Sequence, residues 1–238
     1  MGMEDTGNNG GVQPQSSRGR ERLARILEAA TELFLRDGYG ATSIDAILEV
    51  SGGSKATLYS YFPTKDDLFR AVVEEVLAST STHEPHLDTS ADPRTSLIEF
   101  SVQRLEQLFA TRHHALLRLI IAERDRFPDI ASLYFERAPL RSRGMLAAYF
   151  AELERKGVLD PGTAEEAAEF LIGMMVHWWI IQGLLLGERP SSEAIRERAT
   201  RVVDRFLLAF AKRPRDVASA RLVGGGNSSG PRAEDAAA

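Results

Sequence analysis

The chain has 238 residues, 43% of them hydrophobic and 26% charged, which suits one large or two modest globular domains. It has no cysteine, so disulfides, thiolate zinc sites and cysteine nucleophiles are excluded. The net charge of −5 gives no bulk field for holding nucleic acid, so any such affinity must come from the local placement of a few cations.

The start, M-G-M-E-D-T-G-N-N-G-G, has no basic region leading into an apolar stretch, so no secretory signal is expected and a reducing cytoplasm is the predicted location. Residues 1–17 are rich in Gly, Asn, Gln and Ser and are predicted to be a disordered arm. Arg18, Arg20 and Arg22 stand just ahead of the first helix. They are either a solvated helix start or an arm that touches phosphates or a minor groove. The first helix is predicted over roughly Arg20 to Asp37, with Leu23, Ile26, Leu27, Ala30, Leu33 and Phe34 on one face and Gly38 as its stop.

Thr42 is expected to cap a second helix, with Asp45 three residues on and Ile44, Ile47 and Leu48 on its apolar face. Gly52 and Gly53 end it. Ser54 caps a third helix that carries Lys55, Thr57, Tyr59 and Tyr61 outward and Leu58 and Phe62 inward, and Pro63 ends it. Thr64 opens a fourth helix, predicted over 64–79. Its Leu68, Phe69, Val72, Val73, Val76 and Leu77 are too apolar for a peripheral position, so it reads as a rod between two bodies. A helix, a glycine turn and a short second helix rich in small polar and aromatic donors is the pattern of a helix-turn-helix DNA reader.

The string S-K-A-T-L-Y-S-Y-F-P-T-K-D-D-L resembles the recognition-helix signature of the TetR family of bacterial transcription repressors. Ile26 to Ile44 is similar to that family's first helix and its Gly-Tyr corner. One departure is the turn, Ser51-Gly52-Gly53, where the family usually has Ala-Gly-Val; Gly53 removes an apolar side chain that would pack there. Between Arg18 and Asp67 seven cations face eight anions. The groove face is expected to be Lys55, Ala56, Thr57 and Tyr59 behind the Ser54 cap, with Lys55 on a guanine edge or a phosphate and Ala56 on a thymine methyl. The resemblance implies that Tyr59, Tyr61 and Lys65 anchor phosphates, helped by the backbone N–H groups of Thr42 and Ser43, with Arg18 and Arg20 in reach of DNA. Plain packing is the alternative for Tyr61 and the expectation for Phe62.

Residues 79–93 read as a loop. Its His83 and His86 have no third ligand near them in sequence, so no metal is expected. From Arg94 onward the pattern is helical. Pro128 should start a helix, Pro139 should kink or break it, and Gly157 should end the next. This run resembles the C-terminal domain of the AefR-like branch of the same family. Phe170 to Leu186 is seventeen residues without a charge. His177, Gln182 and two glycines interrupt it, so it reads as a helix buried on most sides of a soluble assembly rather than a membrane span. It points to a dimer seam shared with a last helix that turns Ala194, Ile195, Ala199, Val202, Val203, Phe206, Leu207 and Phe210 inward.

The expected fold is therefore all-α, about nine helices. A three-helix reading head covers 18–63, a connecting helix 64–79, and a ligand-binding and dimerisation bundle 94–213, followed by a disordered tail over 214–238. No Ser-His-Asp arrangement, phosphate-cradling glycine loop or HExxH occurs, so no catalytic residue and no cofactor is expected. A hydrophobic small molecule is the expected effector, with Phe100, Leu116, Phe150, Met174, Met175, His177, Trp178 and Gln182 as candidate pocket residues. A homodimer on a palindromic operator, repressing until the effector binds, is the leading reading. A helical adaptor that binds protein without DNA is the rival.

Overall fold

The computed structural model describes residues 16–81, 87–160 and 162–210. Within them every element is helical: α1 (Ser17–Asp37), α2 (Ile44–Ser51), α3 (Lys55–Tyr61), α4 (Lys65–Ser81), α5 (Pro93–Phe109), α6 (Thr111–Glu123), α7 (Pro128–Phe135), α8 (Arg141–Arg155), α9 (Ala164–Leu186) and α10 (Ser192–Phe210). A five-residue π turn, Glu136–Leu140, carries α7 into α8 without a break, so the ten segments make nine rods among the described residues. The arm up to residue 15, the loop segment with His83 and His86, and the tail beyond 213 lie outside the described residues.

Local chemistry explains the boundaries, and three of them differ from expectation. α1 starts three residues early, because the Ser16 hydroxyl accepts from the Gly19 N–H at 3.1 Å; Arg18 and Arg20 therefore sit in its first turn rather than ahead of it. Ser43, not Thr42, caps α2, accepting from the Ala46 N–H at 3.0 Å. Thr42 is buried and spends its hydroxyl on the Gly38 carbonyl at 2.8 Å. Pro139 does not break its rod. It lies inside the wider π turn, where the ladder is already re-registered and the missing N–H costs less. Elsewhere the signals act as read. Thr64 and Asp67 close a reciprocal cap on α4, at 3.0 and 3.1 Å. Gly52 and Gly53 hold φ of 70° and 111°, a conformation that L side chains avoid.

The buried residues form two cores. The first joins Ile26, Phe34, Ile47 and Leu58 of α1–α3 to Phe69 of α4, and runs on into α6 and α7 through Leu116, Ile130 and Tyr134. The second joins α5, α8, α9 and α10 around Phe100, Leu105, Phe150, Leu171 and Phe206, with Phe150 stacked on Phe206 at 5.1 Å. Each fully buried Phe or Leu contributes roughly 1.5–3 kcal/mol. Partly exposed ion pairs sew α1 and α4 to α6 and α7: Glu28–Arg112 at 2.6 Å, Asp66–Arg126 at 3.4 Å, and Arg70–Asp129. They set register more than stability.

α9 is not buried all round. It is long and apolar enough to cross a membrane by length and composition, yet it packs one face on α8 and α10 through Ala167, Ala168, Leu171 and Met175. Arg143 reaches Glu169 from α8 at 2.6 Å, and Arg198 donates from α10 to the Met174 and Met175 carbonyls at 2.8 and 2.7 Å. The opposite face, with Phe170, Met174, Trp178, Ile181 and Leu185, is exposed.

Gly183 lets α9 close on α6. A Cβ there would stand 2.7 Å from His114 Cε1, and the His114 ring is buried against Phe109 at 5.8 Å, so it has little room to retreat. Gly183→Ala is expected to lower stability by about 1–3 kcal/mol in urea unfolding. Adding His114→Ala should restore part of that loss.

Candidate nucleic-acid interface and effector cavity

The reading head is a small core with one helix left open to solvent. α3 hangs on it by Leu58, which is fully buried, and by Phe62 at its end. Lys55, Ala56, Tyr59 and Ser60 point outward, Tyr59 with 44% of its surface exposed. Ser54 caps the helix, accepting from the Thr57 N–H at 3.2 Å, and its hydroxyl lies 3.0 Å from that of half-buried Thr57. Lys55 is already engaged: its Nζ lies 2.8 Å from Asp45 at the start of α2, and that hydrogen bond raises its pKa.

The other expected DNA residues divide. Arg18 and Arg20 are exposed on the first turn of α1. Ser43 is exposed at the start of α2, whereas the Thr42 side chain is buried. Tyr61 is half-buried, its hydroxyl 3.5 Å from the Gly19 carbonyl, so it braces α3 against the start of α1. Lys65 is turned inward. Its Nζ donates to the Tyr39 carbonyl at 2.5 Å and lies 4.2 Å from the Tyr39 ring centre; burial lowers its pKa, with Arg126 adding to the effect.

A cavity of about 240 Å³ lies where the two cores meet. α5 lends it Phe100, Arg104, Gln107 and Leu108, and α6 lends His113 and Leu117. α7 and the π turn contribute Tyr134, Arg137, Ala138 and Pro139, and α8 contributes Arg141 and Ser142. The fourth wall is α9, through Ile172, Met175, Val176 and Ile180. Thus two of the eight candidate pocket residues, Phe100 and Met175, line this cavity. The rest are placed elsewhere. Leu116 is fully buried in the first core and Phe150 in the second. Met174, His177 and Trp178 lie on the outer face of α9, and Gln182 turns to Glu188 at 3.4 Å. An apolar helix does not announce which of its faces looks inward, and His177 and Gln182 do not line this cavity.

The polar groups the sequence did not single out are Arg104, His113 and Tyr134. Arg104 is half-buried, over the Phe100 ring at 5.6 Å, with bonds to Gln107 Oε1 at 3.1 Å and Met145 Sδ at 3.4 Å. His113 Nε2 lies 3.0 Å from the Tyr134 hydroxyl, both side chains being buried. Burial, helped by His114 and Arg104, lowers the His113 pKa to about 4, so the ring is neutral near pH 7. Burial pushes the Tyr134 hydroxyl up. An i+21 pairing across two helices leaves no local signal in the sequence. The adjacent His113-His114 dipeptide at the start of an apolar helix was the only hint.

His113 binds its proton less well folded than unfolded, where its pKa is near 6.5. The stability from its neutral form is present above pH 6.5 and is lost as pH falls toward 4. Urea unfolding of the parent and of His113→Phe should show their stability difference moving by roughly 3 kcal/mol across that window. A constant difference would mean the ring titrates normally.

Comparison with known proteins agrees with both halves of the chain. Residues 26–72 match the model of the bacterial regulatory proteins of the TetR family, and residues 95–212 match that of the AefR-like transcriptional repressor C-terminal domain. The transcriptional repressor SCO4008 of Streptomyces coelicolor is 27% identical over 76% of this chain and 95% of its own. Among solved structures, the flavonoid-responsive regulator FrrA is 32% identical with a TM-score of 0.68, covering 82% of this chain and all of its own. A TetR-family regulator from Mesorhizobium loti is 26% identical with a TM-score of 0.73 over the same shares. With an open helix-turn-helix at one end and an all-helical bundle at the other, the chain belongs to the TetR family of helix-turn-helix transcriptional regulators, its C-terminal part being of the AefR-like kind.

Proposed function

We propose that the chain is a cytoplasmic repressor that grips a roughly palindromic operator as a homodimer and lets go when a small, largely hydrophobic molecule enters the cavity between the two cores. Residues 18–63 act as the reading head, 64–79 as the connecting helix and 94–213 as the sensing and pairing part. The observation that carries this reading is α3, a seven-residue helix whose outer side presents Lys55, Ala56 and Tyr59 to solvent while Leu58 alone anchors its middle. Such a helix is slim enough for a major groove, with donors for base edges and phosphates. Arg18 and Arg20 on the first turn of α1, Ser43 at the α2 start and Ser54 at the α3 start are the accompanying contacts.

Pairing is supported by the outer face of α9. Phe170, Met174, Trp178, Ile181 and Leu185 follow one another at spacings of four, four, three and four, with Trp178 60% and Leu185 78% exposed. An apolar stripe of that length left in water is a cost that a second copy removes. Reading successive major grooves requires two α3 helices about 34–36 Å apart, an arrangement that a two-fold pair can supply. Release by a small molecule is supported by the cavity's position, since its walls belong to both cores. The relatives named a repressor and a flavonoid-responsive regulator are in keeping with it.

The test is a mobility shift with the DNA upstream of the chain's own gene, beside light scattering at micromolar concentration. The parent should shift that DNA at low salt and have the mass of a dimer. Trp178→Glu would bury two unpaired charges in the seam; it should be monomeric and bind at least about 100-fold more weakly, the equivalent of roughly 3 kcal/mol. Absence of any shift at low salt would defeat the repressor reading and favour the adaptor. Asp45→Asn frees Lys55 and removes an anion beside α3, so it should tighten operator binding by roughly three- to tenfold at low salt, the gain shrinking as salt rises.

A further inference from the structure

The cavity wall is asymmetric in charge. Arg104, Arg137 and Arg141 line it, and no aspartate or glutamate does. They come from three different segments: α5, the π turn and the first residue of α8. Arg137 and Arg141 are four residues apart on one rod, so they fall on one face and line the cavity beside Ala138, Pro139 and Ser142. The lining from α6 and α9 includes the apolar Leu117, Ile172 and Val176. The lining also includes the Tyr134 hydroxyl beside a neutral His113, a hydrogen-bonding pair that adds no charge. Arg104 donates to Gln107 Oε1 at 3.1 Å and lies over the buried Phe100 ring, so its guanidinium is held in place.

We propose that the effector of this cavity is an amphipathic organic anion, an aromatic or alicyclic carboxylate or a comparable acid, whose apolar body lies against α9 and whose anionic end faces Arg104, Arg137 and Arg141. This rests on the reading of the cavity as the effector site and narrows the expected hydrophobic molecule to one bearing a negative charge. A guanidinium meets a carboxylate through two parallel N–H···O bonds, which a neutral amide of the same shape cannot match. The volume of about 240 Å³ admits a two-ring skeleton and excludes much larger ones.

Isothermal titration calorimetry of the full-length protein tests this with sodium 2-naphthoate and 2-naphthamide, which share a skeleton and differ in charge. The naphthoate should bind at least about tenfold more tightly, an advantage of roughly 1.4 kcal/mol. The pair Arg137→Gln and Arg141→Gln alters only exposed side chains, so the fold should survive, and in that variant the preference should fall to within about twofold. Arg104→Gln should lower it as well. Equal affinity for the two compounds, with binding retained, would overturn the anion assignment while leaving the cavity as an effector site. A naphthoate preference that survives all three replacements would overturn it too. No heat from either compound would overturn the cavity reading, and the anion assignment with it.

Discussion

Tyr39 is the joint on which the rest of the molecule depends. Its ring lies 5.7 Å from Phe34 of α1, 5.1 Å from Phe69 of α4 and 5.0 Å from Phe127 at the start of α7. The Lys65 ammonium and the Arg126 guanidinium approach the same ring at 4.2 and 4.5 Å, and its hydroxyl is bonded to Asp66. Burial, followed by Asp66, pushes its pKa up to about 12. Each aromatic pair adds about 0.5–1.5 kcal/mol beyond area burial, and each cation over a ring a similar amount. A tyrosine at a corner after α1 thus ties α1 and α4 to the start of α7 within the first core.

That joint gives α1–α4 and α6–α7 a shared core. The three-helix head does not own its core, since Phe34 and Leu58 share it with Leu116, Ile130 and Tyr134. Tyr134 also faces the cavity. On the proposed reading, a molecule seated there would press on α7 directly, and α7 shares its core with α3. Close-packed interiors are poorly compressible, so a displacement of one wall shifts its neighbours rather than being absorbed. A coupling of about 1–3 kcal/mol between cavity and head would be enough for a useful response.

Local chemistry was the part most legible in the sequence. The Ser54 cap, the Leu58 anchor, the Pro63 stop and the Thr64–Asp67 cap are short-range features, and each acts where its residues stand. The cavity was mostly illegible, for two physical reasons. Its walls are drawn from residues 100 to 180, so Arg104, His113 and Tyr134 meet only after folding. In α9 nearly every position is apolar, so periodicity carries no phase: Met175 faces the cavity and its neighbour Met174 faces out, with nothing in the sequence to separate them. Pro139 shows a different limit. Proline excludes the ordinary helical ladder, but it does not exclude a wider turn that carries the rod onward.

Hydrogen–deuterium exchange on Phe127→Ala tests the shared core most directly. Phe127 lies outside the reading head in sequence but inside the Tyr39 cluster. If one core spans both parts, amides of α2 and α3 should exchange faster in the variant by the same factor as those of α7, while α10 keeps its protection. Acceleration confined to α7, with α2 and α3 unchanged, would show that the head is an independent unit and that the cavity has no packed route to it.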